Sequence, residues 1–268
     1  MTARFANLNY ERTGRPGAPT IVLLHGIGGE LCVWEPVLEP LAEHFDVIAL
    51  DLPGFGRSPS LPAALSPAPA ALADAVEHFL DALEIDSAHV VGNSLGGWIA
   101  LELGKSGRAL SVTALCPAGL WPARRQSAAP PTRGRLNQIA RLLRPIIWLL
   151  VFSRRLRRLA LAHVVADPDK VPRSAVRRMI SSYARATAYD ATKAAMVSNN
   201  FADPQLVVAP TTLAFGEYDR LIRPSRVPIR GAQTVLLRGC GHIPMWDDPE
   251  LVTEVIMRTA VGEVSRSA

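Results

Sequence analysis

The chain has 268 residues, of which 49% are hydrophobic and 20% are charged, and its net charge is +5. This composition is typical of one sizeable globular core and excludes a largely disordered chain. The longest apolar run, Ile146 to Phe152, is too short to span a bilayer, and the N-terminal residues contain no apolar stretch of the kind found in secretory signals, so we expect a cytoplasmic protein.

Six apolar runs of strand length follow one another along the chain. They are TIVLLHG from Thr20, FDVIALDLPG from Phe45, AHVVGNS from Ala88, SVTALCPAG from Ser111, TTLAFGEYD from Thr211 and QTVLLRGCGH from Gln233. Their hydrophobicity is continuous, which is typical of strands covered on both faces of a parallel sheet. The stretches between the first four runs have apolar residues at helical spacing. The pattern predicts an α/β fold with a doubly wound, mostly parallel sheet.

Residues 120–205 differ from the rest of the chain in both pattern and charge. No strand is predicted there, and the segment holds sixteen basic and four acidic residues, a net charge of +12. Helices are predicted to start near Arg133, Pro145, Pro172 and Asp190. We interpret the segment as an all-helical cap over the C-terminal edge of the sheet, inserted between two parts of one core, 1–119 and 206–268.

The stretch GNSLG, from Gly92 to Gly96, follows a predicted strand and opens a predicted helix. In that context the pattern G-x-S-x-G indicates a strained turn that presents the Ser94 hydroxyl as a nucleophile. A serine hydroxyl needs a base to take its proton and a carboxylate to orient that base. Asp219 and His242 each follow a late apolar run, so both are expected at the same sheet edge as Ser94. We predict Ser94 as nucleophile, His242 as base and Asp219 as acid.

Other acids and cysteines near these motifs are interpreted differently. Asp247 and Asp248 are alternative acids, but they lie too near His242 in sequence to orient its ring easily. The three cysteines, Cys32, Cys116 and Cys240, are widely spaced and form no CxxC pair. They predict reduced, mostly buried thiols, not a disulfide framework or a zinc site.

The chain resembles the α/β-hydrolase superfamily in five motifs that occur in the order of that family. They are HGIGG from His25, DLPGFGRS from Asp51, GNSLGG from Gly92, GEYD from Gly216 and GHIPMWDDPE from Gly241. The resemblance implies a mostly parallel sheet of about eight strands with an inserted helical cap. It also implies an oxyanion hole made by the backbone N–H groups of Ile27 and Leu95, with Gly28 as a neighbouring alternative. His25 and Asp51 are expected to be structural.

The residue at the nucleophile position narrows the expected reaction. Haloalkane dehalogenases and epoxide hydrolases of this fold have an aspartate where Ser94 stands, so the resemblance favours acyl chemistry. We expect a carboxylesterase or lipase-like serine hydrolase, with a thioesterase or lactonase as alternatives. C–C hydrolases of meta-cleavage products share the GNS motif but typically follow their histidine with tryptophan, whereas Ile243 stands here. They are the runner-up, and a ligand receptor on the same fold is the non-enzyme alternative.

No cofactor or metal is expected, because the chain has no Rossmann fingerprint, P-loop or metal-ligand cluster. Substrate contacts are predicted for Gly28, Trp148 and Ile243. The apolar run around Trp148 and the basic cluster at 154–158 leave four alternatives open: an acyl-pocket helix, a helix attracted to anionic lipid, recognition of an anionic substrate, or a solvated basic face. The expected partner is a small acyl ester, and nucleic acid is not expected despite a pI of about 9.5.

Overall fold

The computed structural model describes residues 7–121, 153–224 and 229–262. Seven strands form one sheet in the order β1-β3-β2-β4-β5-β6-β7. They are β1 Tyr10–Gly14, β2 Thr20–Leu24, β3 Asp46–Leu50, β4 Ala88–Asn93, β5 Ala109–Leu115, β6 Thr211–Gly216 and β7 Gln233–Leu237. Among the strand pairs of the described residues, only β1 and β3 are antiparallel. The mostly parallel sheet is confirmed, with seven strands in the described residues where about eight were predicted.

Strand β1 is the element that the apolar runs did not predict. Its sequence, YERTG, is polar, and all five of its residues are exposed. It lies at the edge of the sheet, where Tyr10 pairs with Leu50 and Gly14 pairs with Asp46. The Arg12 Nε group also donates to Asp46 Oδ1 at 2.9 Å. An exposed edge strand is held by its backbone hydrogen bonds, so it needs no apolar run.

The described residues contain seven α-helices. They are α1 Glu35–Ala42, α2 Pro69–Ala82, α3 Leu95–Ser106, α4 Arg154–Leu161, α5 Arg173–Arg185, α6 Tyr189–Val197 and α7 Pro249–Val261. Helices α1 to α3 are the three predicted crossovers. Helices α5 and α6 begin beside Pro172 and Asp190, as predicted, whereas the helix starts predicted near Arg133 and Pro145 lie outside the described residues.

Two apolar layers cover the two faces of the sheet. In β2, Val22 and Leu24 pack into the layer that holds α2 and α3, while Ile21 and Leu23 pack into the layer that holds α1 and α7. All four side chains are fully buried. Because alternate strand residues point to opposite faces, burial on both faces requires an uninterrupted apolar strand. This is the physical origin of the continuous runs in the sequence.

Between β5 and β6 the described part of the chain forms α4, α5 and α6 and contains no strand. These helices join the core, because Leu161 and Val176 are buried in one apolar layer and Met196 in the other. The boundaries of the cap at 120 and 205 stay a prediction. Among the helices described here, none is long and apolar enough to cross a membrane.

Candidate active site

Ser94 lies in the tight turn between β4 and α3, with φ 56° and ψ −111°. A positive φ is strained for any residue with a side chain, and such strain is characteristic of functional turns. The turn requires its flanking glycines, because a Cβ on Gly92 would overlap the carbonyl oxygen of Gly96, and a Cβ on Gly96 would overlap that of Leu24. The Ser94 N–H donates to the Leu115 carbonyl at 2.9 Å. The turn has the geometry that the G-x-S-x-G pattern predicts.

The predicted base and acid are in direct contact. His242 Nδ1 and Asp219 Oδ2 are 2.8 Å apart. The other carboxylate oxygen of Asp219 accepts from the N–H groups of Leu221 at 2.7 Å and Ile222 at 2.9 Å. These three hydrogen bonds fix the carboxylate, and the one to His242 also orients the imidazole ring. We assign the Nδ1 proton to this hydrogen bond, which leaves Nε2 of His242 as the proton acceptor.

The Asp219 carboxylate stays ionised although its side chain is fully covered. Burial alone raises the pKa of Asp219, but the hydrogen bond and charge of His242, together with the backbone N–H groups of Ile222 and Leu221, outweigh burial and lower the pKa below its usual value. The ionised carboxylate therefore places a negative charge directly beside the His242 ring.

Asn93 connects the nucleophile turn to the histidine loop. It is buried, and its Nδ2 donates to the carbonyl oxygens of His242 at 2.8 Å and Leu115 at 3.2 Å. Because Asn93 directly precedes Ser94, its side chain ties the backbone at His242 to the Ser94 turn. The sequence pattern does not reveal this role, because the first x of G-x-S-x-G accepts many residue types.

The loop after β2 packs against Ser94. A Cβ on Gly26 would lie 3.2 Å from the Ser94 Cβ. Ile27 follows in this loop, and Leu95 is the first residue of α3, whose N-terminus carries a partial positive charge. Their backbone N–H groups belong to the two segments that flank Ser94, and they stay the predicted donors of an oxyanion hole.

His25 braces its own loop, as expected. Its Nδ1 bonds the Gly26 carbonyl at 2.7 Å, and its Nε2 accepts from the Leu52 N–H at 3.0 Å. Burial lowers the pKa of His25 and outweighs the opposing charge of Asp51. The ring is therefore a neutral structural group that carries one proton, on Nδ1.

The remaining acids near the site are also structural. Asp51 is buried and accepts from the N–H groups of Leu31 at 2.7 Å and Arg57 at 2.9 Å. Asp248 caps α7 by accepting from the Leu251 N–H at 2.9 Å. Asp247 bonds three backbone N–H groups, as set out below. Among Asp51, Asp219, Asp247 and Asp248, only Asp219 hydrogen-bonds the His242 ring in the described structure.

A cavity of about 900 Å³ has Ser94 and His242 in its wall. Two predicted substrate contacts, Gly28 and Ile243, also line it, whereas Trp148 lies outside the described residues. Most of the lining is apolar, and helices α4 to α6 contribute much of it. Their apolar contributions include Leu156, Leu159, Met179, Ile180, Met196 and Val197. A cavity with this lining accommodates an apolar group next to the nucleophile.

Two tyrosines that no sequence motif indicated line the cavity and lie against Gly28 in the loop after β2. Tyr183 of α5 and Tyr189 of α6 meet edge to face, with ring centroids 4.9 Å apart. A Cβ on Gly28 would lie only 2.9 Å from Tyr183 Cδ2 and 3.2 Å from Tyr189 Cε2. The absence of a side chain at Gly28 is therefore what lets α5 and α6 approach the predicted oxyanion loop.

The buried thiol of Cys116 lies close to Asp219 and His242. Ligand atoms of Cys116, Asp219 and His242 are within 4.8 Å of one another, and these are residue types that bind transition metals. Burial and the charge of Asp219 raise the pKa of Cys116 well above its usual value, so the thiol stays protonated. Asp219 and His242 hydrogen-bond each other, and the protonated Cys116 thiol packs beside them. All three cysteines are free and buried, as predicted.

The comparisons with known proteins agree with this architecture. The model of the alpha/beta hydrolase family matches residues 21–255. The chain therefore belongs to the α/β-hydrolase family, and its class is that of a hydrolase.

Individual relatives differ in name and in extent. A Mycobacterium tuberculosis protein named epoxide hydrolase EphH is 35% identical over 200 residues, which are 70% of this chain and 92% of that protein. The dihydrolipoyllysine-residue acetyltransferase component of the acetoin cleaving system of Cupriavidus necator is 39% identical over 146 residues, and the match spans 37% of that protein. The solved structure of a bacterial membrane phospholipase A superposes with a TM-score of 0.73 at 26% identity, covering 97% of this chain and 88% of that one.

Proposed function

We propose that the protein hydrolyses carboxylic esters through a covalent acyl intermediate on Ser94. One observation carries the proposal: His242, which is hydrogen-bonded to Asp219, lines the same largely apolar cavity as the strained Ser94 turn. A nucleophile, an oriented base and a buried carboxylate are the three groups that acyl transfer through serine requires.

The reaction then proceeds in two steps. Ser94 Oγ attacks the ester carbonyl carbon while His242 Nε2 takes the hydroxyl proton, and Asp219 stabilises the resulting imidazolium. The negative carbonyl oxygen is bound by the N–H groups of Ile27 and Leu95. The tetrahedral intermediate expels the alcohol, which receives the proton from His242. Water, activated by the same histidine, attacks the acyl-enzyme and releases the carboxylic acid.

The lining of the cavity supports an ester with an apolar acyl chain. We assign α4, α5 and α6 to a helical cap within 120–205, because they supply much of the apolar wall. Three large apolar side chains of the lining are also exposed: Leu159 by 71%, Leu221 by 54% and Val197 by 53%. Exposed apolar residues in a cavity wall are typical of a groove that binds an apolar ligand.

The name of the mycobacterial relative raises a second candidate, the opening of epoxides. A carboxylate that opens an epoxide gives an ester, which water can cleave at its carbonyl carbon. The Ser94 hydroxyl would give an ether, which has no carbonyl for water to attack. The serine at the nucleophile turn therefore favours acyl chemistry. Thioesters, lactones and C–C bonds next to a carbonyl remain alternatives for the same three residues.

The test is hydrolysis of p-nitrophenyl esters from acetate to palmitate, with styrene oxide in parallel. We expect turnover of the short and medium esters, and a loss of at least about a thousandfold in kcat for Ser94→Ala. Ser198→Ala, at an exposed serine after α6, is the matched control and keeps full activity. Ring opening of styrene oxide without ester hydrolysis would overturn the proposal, as would ester hydrolysis that survives in Ser94→Ala.

A further inference from the structure

Asp247 is a buried carboxylate that bonds only backbone N–H groups in the described structure. Its side chain accepts from Ala166 at 2.9 Å and 3.0 Å, from Asp167 at 3.0 Å and from Gly241 at 2.8 Å. The residue as a whole is 3% exposed. Hydrogen bonds to an ionised acceptor are stronger than neutral ones, and a buried charge depends on keeping all of them.

These bonds join two segments that are distant in sequence. Ala166 and Asp167 belong to the turn after α4, whereas Gly241 directly precedes His242. The junction continues on the other side of the base, where the Ile243 N–H donates to the Val164 carbonyl at 2.7 Å. The insertion is therefore bonded to the histidine loop on both sides of His242.

Two further contacts close the junction. Lys170 Nζ donates to the backbone carbonyl of Asp247 at 2.7 Å. A Cβ on Gly241 would lie 2.8 Å from the backbone nitrogen of Ala166, so the two backbones approach as closely as glycine permits. Because the neighbouring atoms belong to the backbone, they have little room to move away from a side chain introduced at Gly241.

The same two segments form the site. Leu161 and Val164 line the cavity from the insertion, and His242 and Ile243 line it from the core. We propose that Asp247 is a positioning residue: it holds the acyl-chain wall of the insertion at a fixed place relative to the base, and thereby sets the chain-length selectivity of the enzyme. The predicted effect on chain-length selectivity rests on the proposed ester hydrolysis. The link that Asp247 makes between the insertion and the His242 loop does not.

The test compares Asp247→Asn with Asp248→Asn. An asparagine at 247 keeps the size of the side chain but replaces one acceptor oxygen with an NH₂ donor that faces backbone donors. The neighbouring Asp248 is the matched control, because it accepts from Leu251 in α7 and does not bond the insertion. The first readout is hydrogen–deuterium exchange of the peptides that contain Ala166, Asp167 and Gly241. The second is kcat and KM for p-nitrophenyl butyrate and laurate.

For Asp247→Asn we expect exchange of those amides to accelerate at least about tenfold, and the ratio of kcat/KM between the two esters to change at least about fivefold. The larger part of the kinetic change is expected in KM. Asp248→Asn is expected to leave both readouts at wild-type values, because asparagine caps a helix about as well as aspartate. If Asp247→Asn does not fold, Lys170→Met replaces it as the test variant. This substitution removes the hydrogen bond to the Asp247 carbonyl and is expected to shift both readouts in the same direction.

A folded Asp247→Asn with wild-type exchange and a wild-type ester ratio overturns the inference. So does an equal change in Asp248→Asn, because that result would show a general loss of stability. If the wild type hydrolyses neither ester, the proposed function fails, and the exchange measurement still decides whether Asp247 couples the two segments.

Discussion

The Asn93 side chain donates a hydrogen bond of 2.8 Å to the backbone carbonyl of His242, so the residue before Ser94 holds the His242 loop. Replacing Asn93 with alanine leaves that buried carbonyl without its donor, at a cost of about 1–3 kcal/mol. We expect kcat/KM for p-nitrophenyl butyrate to fall about 10- to 100-fold in Asn93→Ala, because His242 loses a positional restraint. Asn199→Ala, at an exposed asparagine after α6, controls for the loss of an amide. Unchanged kinetics in a folded Asn93→Ala would contradict this role.

The acid of the site is tested by Asp219→Asn. The amide cannot act as an ionised acceptor for His242 Nδ1–H, so the ring loses its orientation and its fixed tautomer. We expect kcat to fall about 10³- to 10⁴-fold with little change in KM. Glu217→Gln is the control in the same loop, where Glu217 accepts from the Gly239 N–H at 2.9 Å. Substantial activity in Asp219→Asn, or an equal loss in Glu217→Gln, would refute Asp219 as the acid.

Gly28 offers a test of the tyrosine contacts, because the chain contains a matched glycine. Gly28 and Gly231 have φ values of +77° and +73°, but a Cβ on Gly28 meets Tyr183 and Tyr189, whereas one on Gly231 meets nothing within 4 Å. Both alanine variants are expected to lose about 1 kcal/mol of unfolding free energy from the positive φ. Only Gly28→Ala is expected to lose additional stability and to raise KM several-fold, as urea unfolding and ester kinetics would show. Equal effects of the two substitutions would exclude a role for the contacts.

His25 predicts a pH dependence of stability. Its folded pKa lies below the ordinary value of 6.5 because the ring is buried. The unfolded chain therefore binds a proton at His25 that the folded chain does not, and stability is lost as pH falls below 6.5 towards the folded pKa. The limiting contribution is about 1.4 kcal/mol per pH unit for one proton. Urea unfolding from about pH 7.5 to about pH 5 is expected to show a shallower slope for His25→Gln than for the wild type. Parallel curves would contradict a buried neutral His25.

The exposed apolar side chains of the cavity wall, Leu159, Val197 and Leu221, predict contact with a lipid surface. The arginines of helix α4 would strengthen binding to anionic lipid. Leu159 lines the cavity and is 71% exposed, and it shares α4 with the exposed Arg155. We expect the protein to sediment with phosphatidylglycerol vesicles and to dissociate as salt rises, since each basic residue near such a surface contributes about 1 kcal/mol. Leu159→Asp is expected to weaken binding several-fold more than Leu236→Asp, at an exposed leucine of β7. Equal weakening, or binding that ignores lipid charge, would rule out this surface.

The sequence by itself determined the central sheet and the three candidate catalytic side chains. Strands covered on both faces require continuous apolar runs, and β2 to β6 are such strands. In the described structure β7 also carries an apolar run, but it lies at the sheet edge, where Gln233, Thr234 and Leu236 are exposed. The Ser94 turn requires small residues where backbones approach, so glycines mark it. Asp219 and His242 were predictable because each ends such a run, and parallel strands bring their carboxyl ends to one edge.

Only the tertiary structure decided which residues support that chemistry. Strand β1 is polar and is held by backbone pairing with β3. Asn93 reaches His242 across 149 residues, and Asp247 reaches Ala166 across 81. In each case one partner is a backbone N–H or carbonyl group, which nearly every residue type provides. Such a bond leaves no complementary side chain to recognise in the sequence, so only the folded chain reveals it.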